Sequence, residues 1–322
     1  MPQPLKRPIT GRGEHQYEVI HDWGSLPSSI EYGNTHGVCE DSQGRIYVFH
    51  TVGAGSPCAD ALVVFDSDGK FVKSWGSEFA GGAHGLHLQN EGSDEFLYLC
   101  DIKRSLVVKT TLDGEVVLTL GYPKDSPQYP LAADGQPATK YISTNVAVAP
   151  NGDIYVADGY GSNFINQYNA AGEFIRTFGG TGSAAGELDC PHGIIVDTRG
   201  SRPCLLAADR KNNRLQSFSL EGAHLGFAHG VNLPCHFHER QGMVLIPDLA
   251  SRVTLMDRDN QVLVHLGEGD ASSFRELRKE PREQFPAGKF VAPHGACFDH
   301  EGNIFVVEWV EIGRVTKLRN LG

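Results

Sequence analysis

The 322-residue chain carries 40% apolar side chains, 38 glycines and a net charge of −11. That composition suits a soluble globular protein with many tight turns, and it argues against a nucleic-acid surface, which needs a basic patch. No stretch approaches the ~20 apolar residues of a membrane span. The start, Met1-Pro2-Gln3-Pro4-Leu5, lacks the apolar segment of a signal peptide, and seven cysteines without paired spacing read as reduced thiols of a cytoplasmic protein.

In chain order, the first predicted element is Tyr17-Glu18-Val19-Ile20-His21-Asp22-Trp23-Gly24, a strand with no partner nearby in sequence. A repeat follows, clearest after residue 143. There Val146-Ala147-Val148, a Pro150-Asn151-Gly152 turn, Ile154 to Asp158, Phe164 to Tyr168, an Ala171-Gly172 turn and Phe174 to Gly179 make four short strands. The frame recurs six times at roughly 45–60 residues, the period of four-stranded propeller blades. The last unit ends at Gly313 to Leu318 without a fourth strand, and Tyr17 to Trp23 matches the fourth-strand pattern of Phe71 to Trp75. The expectation is an all-β, six-bladed β-propeller of the NHL-repeat type, spanning residues 1–322 as one domain, with residues 15–24 completing the last blade and removing its open edge. Two segments break the frame: a proline-rich loop at 122–140, and 268–290, in which Ser272 to Glu280 reads as a short helix. Loops of that length on a compact ring are candidate lids or contact surfaces.

At the start of the innermost strands the chain writes Ala83-His84-Gly85-Leu86, Pro191-His192-Gly193-Ile194 and Pro293-His294-Gly295-Ala296. His84 and His192 are 108 residues apart, and His192 and His294 are 102 apart, which puts them on alternate blades. Three imidazoles related by a three-fold axis, with a further position open, suit a catalytic divalent metal such as zinc. Thr35-His36-Gly37 and Cys235-His236-Phe237 are looser copies on blades one and five. His36 and His236 could stand behind the ligands, touch substrate, or ligate a differently composed site. Asn145 offers an oxygen donor on blade three. The second strand of each blade returns to the same rim, ending at Asp101, Asp158-Gly159-Tyr160, Asp209-Arg210, Asp248 and Glu308-Trp309. A strand-end aspartate can serve by holding turn amides. Tyr160 and Arg210 follow such aspartates and should project over the channel mouth.

Ile154 to Tyr160, Phe164 to Tyr168, Cys190-Pro191-His192-Gly193 and Ala208-Asp209-Arg210-Lys211-Asn212-Asn213-Arg214 resemble the lyase domain of the peptidylglycine α-amidating enzymes. The resemblance extends over most of the chain and is most specific in blades three and four. It implies a six-bladed propeller that holds zinc on three histidines and cleaves peptidyl-α-hydroxyglycine to a peptide amide and glyoxylate. It places the ligands on His84, His192 and His294, the catalytic tyrosine on Tyr160, an active-site arginine on Arg210, and a structural calcium near the Leu86 carbonyl. The chain departs from that pattern in four places. Blade one reads Val48-Phe49-His50-Thr51-Val52 where the family has a second arginine. Gly295 replaces a calcium-binding aspartate, and Gly161 and Ser217 replace disulfide cysteines. The expected function is therefore a metal-dependent lyase with a changed substrate, a small molecule or short peptide of carbinolamide or hydroxy-acid type. Metal-assisted hydrolysis of a lactone or ester is the competing chemistry, and a non-catalytic scaffold the competing role. Asp158, Asp209 and Trp309 complete the candidate substrate-side residues.

Overall fold

The computed structural model describes residues 7–322. Its strands form six antiparallel sheets. Blade one comprises Thr35–Glu40, Ile46–His50, Leu62–Phe65 and Phe71–Trp75. Blade two comprises Ala83–Glu91, Asp94–Asp101, Leu106–Thr111 and Val116–Leu120. Blade three comprises Asn145–Val148, Ile154–Ala157, Phe164–Tyr168 and Phe174–Gly179. Blade four comprises Pro191–Asp197, Cys204–Asp209, Arg214–Phe218 and His224–Ala228. Blade five comprises His238–Arg240, Met243–Asp248, Arg252–Met256 and Val262–Leu266. Blade six comprises Pro293–Phe298, Ile304–Glu308 and Arg314–Asn320, and is completed by His15–His21.

The sequence pattern explains this layering. Second strands such as Ile46-Tyr47-Val48-Phe49 are unbroken apolar runs, and they are buried on both faces between neighbouring blades. Fourth strands such as Phe71-Val72-Lys73 mix in polar residues and lie at the rim, half exposed. Gly152 (φ +88°) and Gly172 (φ +83°) supply the left-handed backbone of the hairpin turns. The core is split into interblade clusters: Phe49 with Leu97 and Leu99, Val156 with Tyr98, Tyr155 with Leu205, Ala208 with Val244, Leu255 with Val306, and Val48 with Phe305. Each fully buried aliphatic or phenyl side chain contributes about 1.5–3 kcal/mol.

Closure follows the expected strand. Tyr17 pairs with Asn320 and His21 with Thr316, and Trp23 packs edge-on against Phe305 (4.6 Å between ring centroids) and Phe65 (5.5 Å), joining blades six and one. Ile9–Arg12 adds a fifth strand outside it, which the repeat did not foreshadow.

The strand-end carboxylates hold the blades together. Asp209 accepts hydrogen bonds from the Asp189 amide (2.7 Å) and Arg214 Nε (2.7 Å). Asp248 accepts from Arg252 and Thr254, and Glu308 from the Val291 amide and Arg314. Asp158 accepts from the Ile142 and Ser162 amides and from Tyr129, which the 122–140 loop inserts into the protein. Residues 268–290 form a helical turn at Phe274–Leu277 and a 3-10 turn at Arg282–Gln284. They seat Phe274 and Phe285 against Leu249, Val291 and Val310, on the rim that carries the histidines.

Candidate metal centre and active site

Four innermost strands slip out of register at their histidine. The shift falls between Thr35 and Gly37, Ala83 and Leu86, Pro191 and Ile194, and Pro293 and Gly295. Such bulges re-aim a side chain, and here they turn the imidazole toward the channel axis. The following glycine makes room for the next blade. A Cβ on Gly85 would lie 2.4 Å from the Thr144 carbonyl oxygen, one on Gly193 2.7 Å from that of Cys235, and one on Gly295 2.5 Å from that of His36. Those same carbonyls accept hydrogen bonds from Nδ1 of His84 (2.9 Å), His192 (2.7 Å) and His294 (3.0 Å). The Nδ1 proton is thereby fixed, and each Nε2 presents a lone pair inward.

The three rings converge. Their centroids are 4.8 Å apart for His84 and His192, 4.8 Å for His84 and His294, and 4.7 Å for His192 and His294. The Tyr160 hydroxyl lies 3.1 Å from His84 Nε2 and 3.0 Å from His192 Nε2, and His294 Nε2 is buried without a partner. Tyrosine has one proton to donate, so at most one of the three inward lone pairs is satisfied by the protein. Each orphaned buried acceptor costs about 1–3 kcal/mol. Burial pushes His84 down to about 4, helped by the Arg210 charge, and holds His192 and His294 well below the usual range. All three are neutral at pH 7, the form that binds metal. Three neutral imidazoles aimed at one point fit zinc or another borderline divalent ion.

Tyr160 and Arg210 meet over this cluster, each with part of its surface open to the channel mouth. Arg210 Nη1 donates to the Tyr160 hydroxyl (3.3 Å), and its guanidinium lies 5.2 Å from the centre of the tyrosine ring. Burial pushes the phenol up to about 12, against the pull of Arg210. No carboxylate among the described residues forms an ion pair with Arg210.

His36 joins the same cluster, its ring centroid 5.0 Å from His84 and 4.6 Å from His294. Ligand-capable atoms of His36, His84 and His294 lie within 4.8 Å of one another, as do those of His192, Cys235 and His294. The two groups share His294 and divide the expected triad between them, with His84 in the first and His192 in the second. Burial pushes the Cys235 thiol up to about 12.

The remaining candidates lie elsewhere. Asp158 and Asp209 are buried in the blade anchors described above. The Asn145 side-chain oxygen accepts from the Val146 amide. Trp309 sits at the rim beneath Arg278, whose guanidinium carbon is 3.5 Å from the ring centre. Arg278 also donates to the Trp309 carbonyl and to Asn34 Oδ1, and its charge reaches His36. It belongs to the 268–290 insertion, outside the repeat, so no pattern in the sequence singled it out. His236 precedes its strand, His238–Arg240, and is followed by Phe237 rather than glycine. It turns down the channel toward the Leu86 and Ala296 carbonyls, with Nδ1 buried and unpartnered. Leu86, His87, His236, His238 and Phe237 line a cavity of about 460 Å³ at the opposite end of the channel. Calcium requires six to eight oxygens. Beside the Leu86 carbonyl stands an imidazole, and Glu40, also lining the cavity, is engaged by His300. Among the described residues no group of three carboxylate, imidazole or thiol donors gathers beside that carbonyl.

No family model matches the chain. It is 30% identical over 192 residues to peptidyl-glycine alpha-amidating monooxygenase A of Xenopus laevis, covering 56% of this chain and 19% of that protein. It is 27% identical over 253 residues to peptidyl-alpha-hydroxyglycine alpha-amidating lyase 1 of Drosophila melanogaster, 67% of this chain and 44% of that one. With lyase 2 of the same fly the match runs over 318 residues at 24% identity, 92% and 72%. The chain is a relative of the amidating lyases. It thus spans less than half of the first two of these amidating proteins. All seven cysteines of this amidating-lyase relative are free. Among solved structures it superposes on a streptogramin B lyase (TM-score 0.60, 12% identity, covering 96% of this chain and 99% of that one). It also superposes on a gluconolactonase from Xanthomonas campestris (TM-score 0.57, 12% identity, 95% and 91%). At such identities these two establish the propeller fold alone.

Proposed function

We propose that the chain is a metal-dependent lyase that cleaves a carbinolamide, or a similar hydroxy acid, into an amide-type product and an oxo acid. The observation that carries this reading is the convergence of three carbonyl-locked, neutral imidazoles beneath a tyrosine–arginine pair. The kinship with the amidating lyases supports it. His84, His192 and His294 would hold the ion, which when bound would acidify the substrate hydroxyl.

The chain's own groups do the rest. Arg210, a cation without a carboxylate partner, pairs with the substrate carboxylate. The Tyr160 oxygen takes the hydroxyl proton while its own proton passes to the departing nitrogen. The C–N bond breaks, the C–O bond becomes a carbonyl, and no water is consumed. Arg210 beside the phenol eases transient charge on that oxygen. Blade one offers His50, buried and bonded to the Val52 amide, where the related enzymes carry an arginine. The Arg278–Trp309 stack and the seated insertion wall that side, so the substrate differs from the standard peptide in size or charge.

The test is to load the protein with zinc, supply peptidyl-α-hydroxyglycine and smaller α-hydroxy acids, and measure glyoxylate or the corresponding oxo acid. Oxo-acid release that disappears with chelation supports the lyase. Release of an acid with uptake of water identifies a hydrolase instead, and a protein that binds no metal overturns both.

A further inference from the structure

His36 lies off the three-fold set, yet the backbone treats it like the three expected ligands. Its strand carries the same register shift at the same place. The residue is 6% exposed, its ring touches two members of the triad, and its Nδ1 is sealed from solvent with no partner among the described residues. The other looser copy, His236, lies ahead of its strand and lacks the following glycine. His36 also differs from the triad in one telling respect. A Cβ on Gly37 would meet the Leu86 side chain at 2.4 Å rather than a carbonyl, so the next blade presents no oxygen to hold the ring or fix its proton. Its backbone carbonyl is meanwhile the acceptor that orients His294. A buried imidazole with no protein partner beside two inward-facing lone pairs carries an unmet bonding need of the same kind as theirs.

We propose that His36 is a fourth protein ligand of the ion that His84, His192 and His294 hold, so that this chain binds its metal through four imidazoles drawn from blades one, two, four and six. The inference rests on the metal-site reading above. Four neutral nitrogen donors suit zinc, copper, nickel or iron and disfavour magnesium and calcium. They leave the ion's charge intact for an anionic substrate and leave fewer positions on it. Simultaneous chelation by hydroxyl and carboxylate is thereby opposed, and the carboxylate goes to Arg210. His36 acts both through its ring, on the ion, and through its carbonyl, on His294.

The experiment substitutes cobalt(II) into the full chain and counts the histidine rings whose proton signals are shifted by the ion. Zinc affinity is measured alongside, by competition with a chelator. The parent should show four shifted rings. His36→Ala should show three and bind zinc at least about 10-fold more weakly, with a circular dichroism spectrum like the parent's. The count in the parent needs no variant and so stands if the alanine protein fails to fold. Three shifted rings in the parent, or unchanged zinc affinity in a folded His36→Ala protein, overturns the inference while leaving the three-histidine lyase intact. A parent that binds neither cobalt nor zinc overturns both.

Discussion

Replacing Tyr160 with phenylalanine should have opposite consequences with and without metal. In the metal-free protein the Tyr160 hydroxyl is the donor available to His84 Nε2 and His192 Nε2. Removing it leaves one more buried imidazole acceptor unsatisfied, at about 1–3 kcal/mol. For a chain of this length that lowers the melting midpoint by roughly 2–5 °C. Once an ion occupies the three lone pairs that loss vanishes. The remaining cost, a lost acceptor for Arg210 at 3.3 Å, is common to both states. Thermal unfolding of parent and Tyr160→Phe, each with chelator and with excess zinc, isolates the difference. Activity of the zinc-loaded variant should fall by about 10²–10⁴-fold while its midpoint stays near the parent's. Equal destabilisation with and without zinc would refute the claim that the inward lone pairs await a metal. Turnover at the parent rate would refute the proton relay.

His192→Ala should abolish stoichiometric zinc binding at low micromolar metal, read by elemental analysis after gel filtration. Arg210→Ala should retain zinc and lose affinity for carboxylate-bearing substrates, raising KM more than it lowers kcat. Glu308→Gln leaves Arg314, which is buried, without its counter-charge. It should destabilise the fold by about 3–5 kcal/mol in denaturant titration, with specific activity of the folded fraction unchanged. At the blade six–blade one seam, hydrogen bonding to the Glu40 carboxylate raises the His300 pKa above its ordinary 6.5. That contribution to stability is full below about pH 6 and fades as pH rises through the folded pKa. The midpoint difference between parent and Glu40→Gln should therefore shrink as pH rises above the ordinary imidazole value of 6.5.

The propeller was legible because each blade repeats its turn glycines and apolar runs, and because the spare strand at Tyr17 matches the gap after Leu318. The strand at Ile9–Arg12 was not, since four residues with an internal glycine carry no period. The convergence of His84, His192 and His294 was legible from alternate-blade spacing. His36 was set apart because blade one lies off the three-fold spacing, yet its ring joins the cluster. The His-Gly pair is the fuller signal, because the glycine admits the neighbouring blade and only the bulged strands carry it. Cys235-His236-Phe237 fails that criterion, and its ring goes down the channel. Asp158 and Asp209 read as site residues from their position beside Tyr160 and Arg210. The structure commits their oxygens to amides and side chains of the scaffold, the turn-holding role a strand-end aspartate offered from the start. Arg278 arrives from an insertion, where no repeat constrains placement.

The strand that closes the ring has a consequence for how the protein folds. Pairing Tyr17 with Asn320 joins residues about 300 positions apart, the kind of distant contact that slows folding most. The imidazoles come from blades distributed around the whole circle, so an open arc would hold fewer than three of them at one point. Metal capture would thus report completion of the circle, and an ion bound there would favour the closed ring over any open form by mass action. A reagent that pries the first strand away should release the ion before the blades themselves unfold.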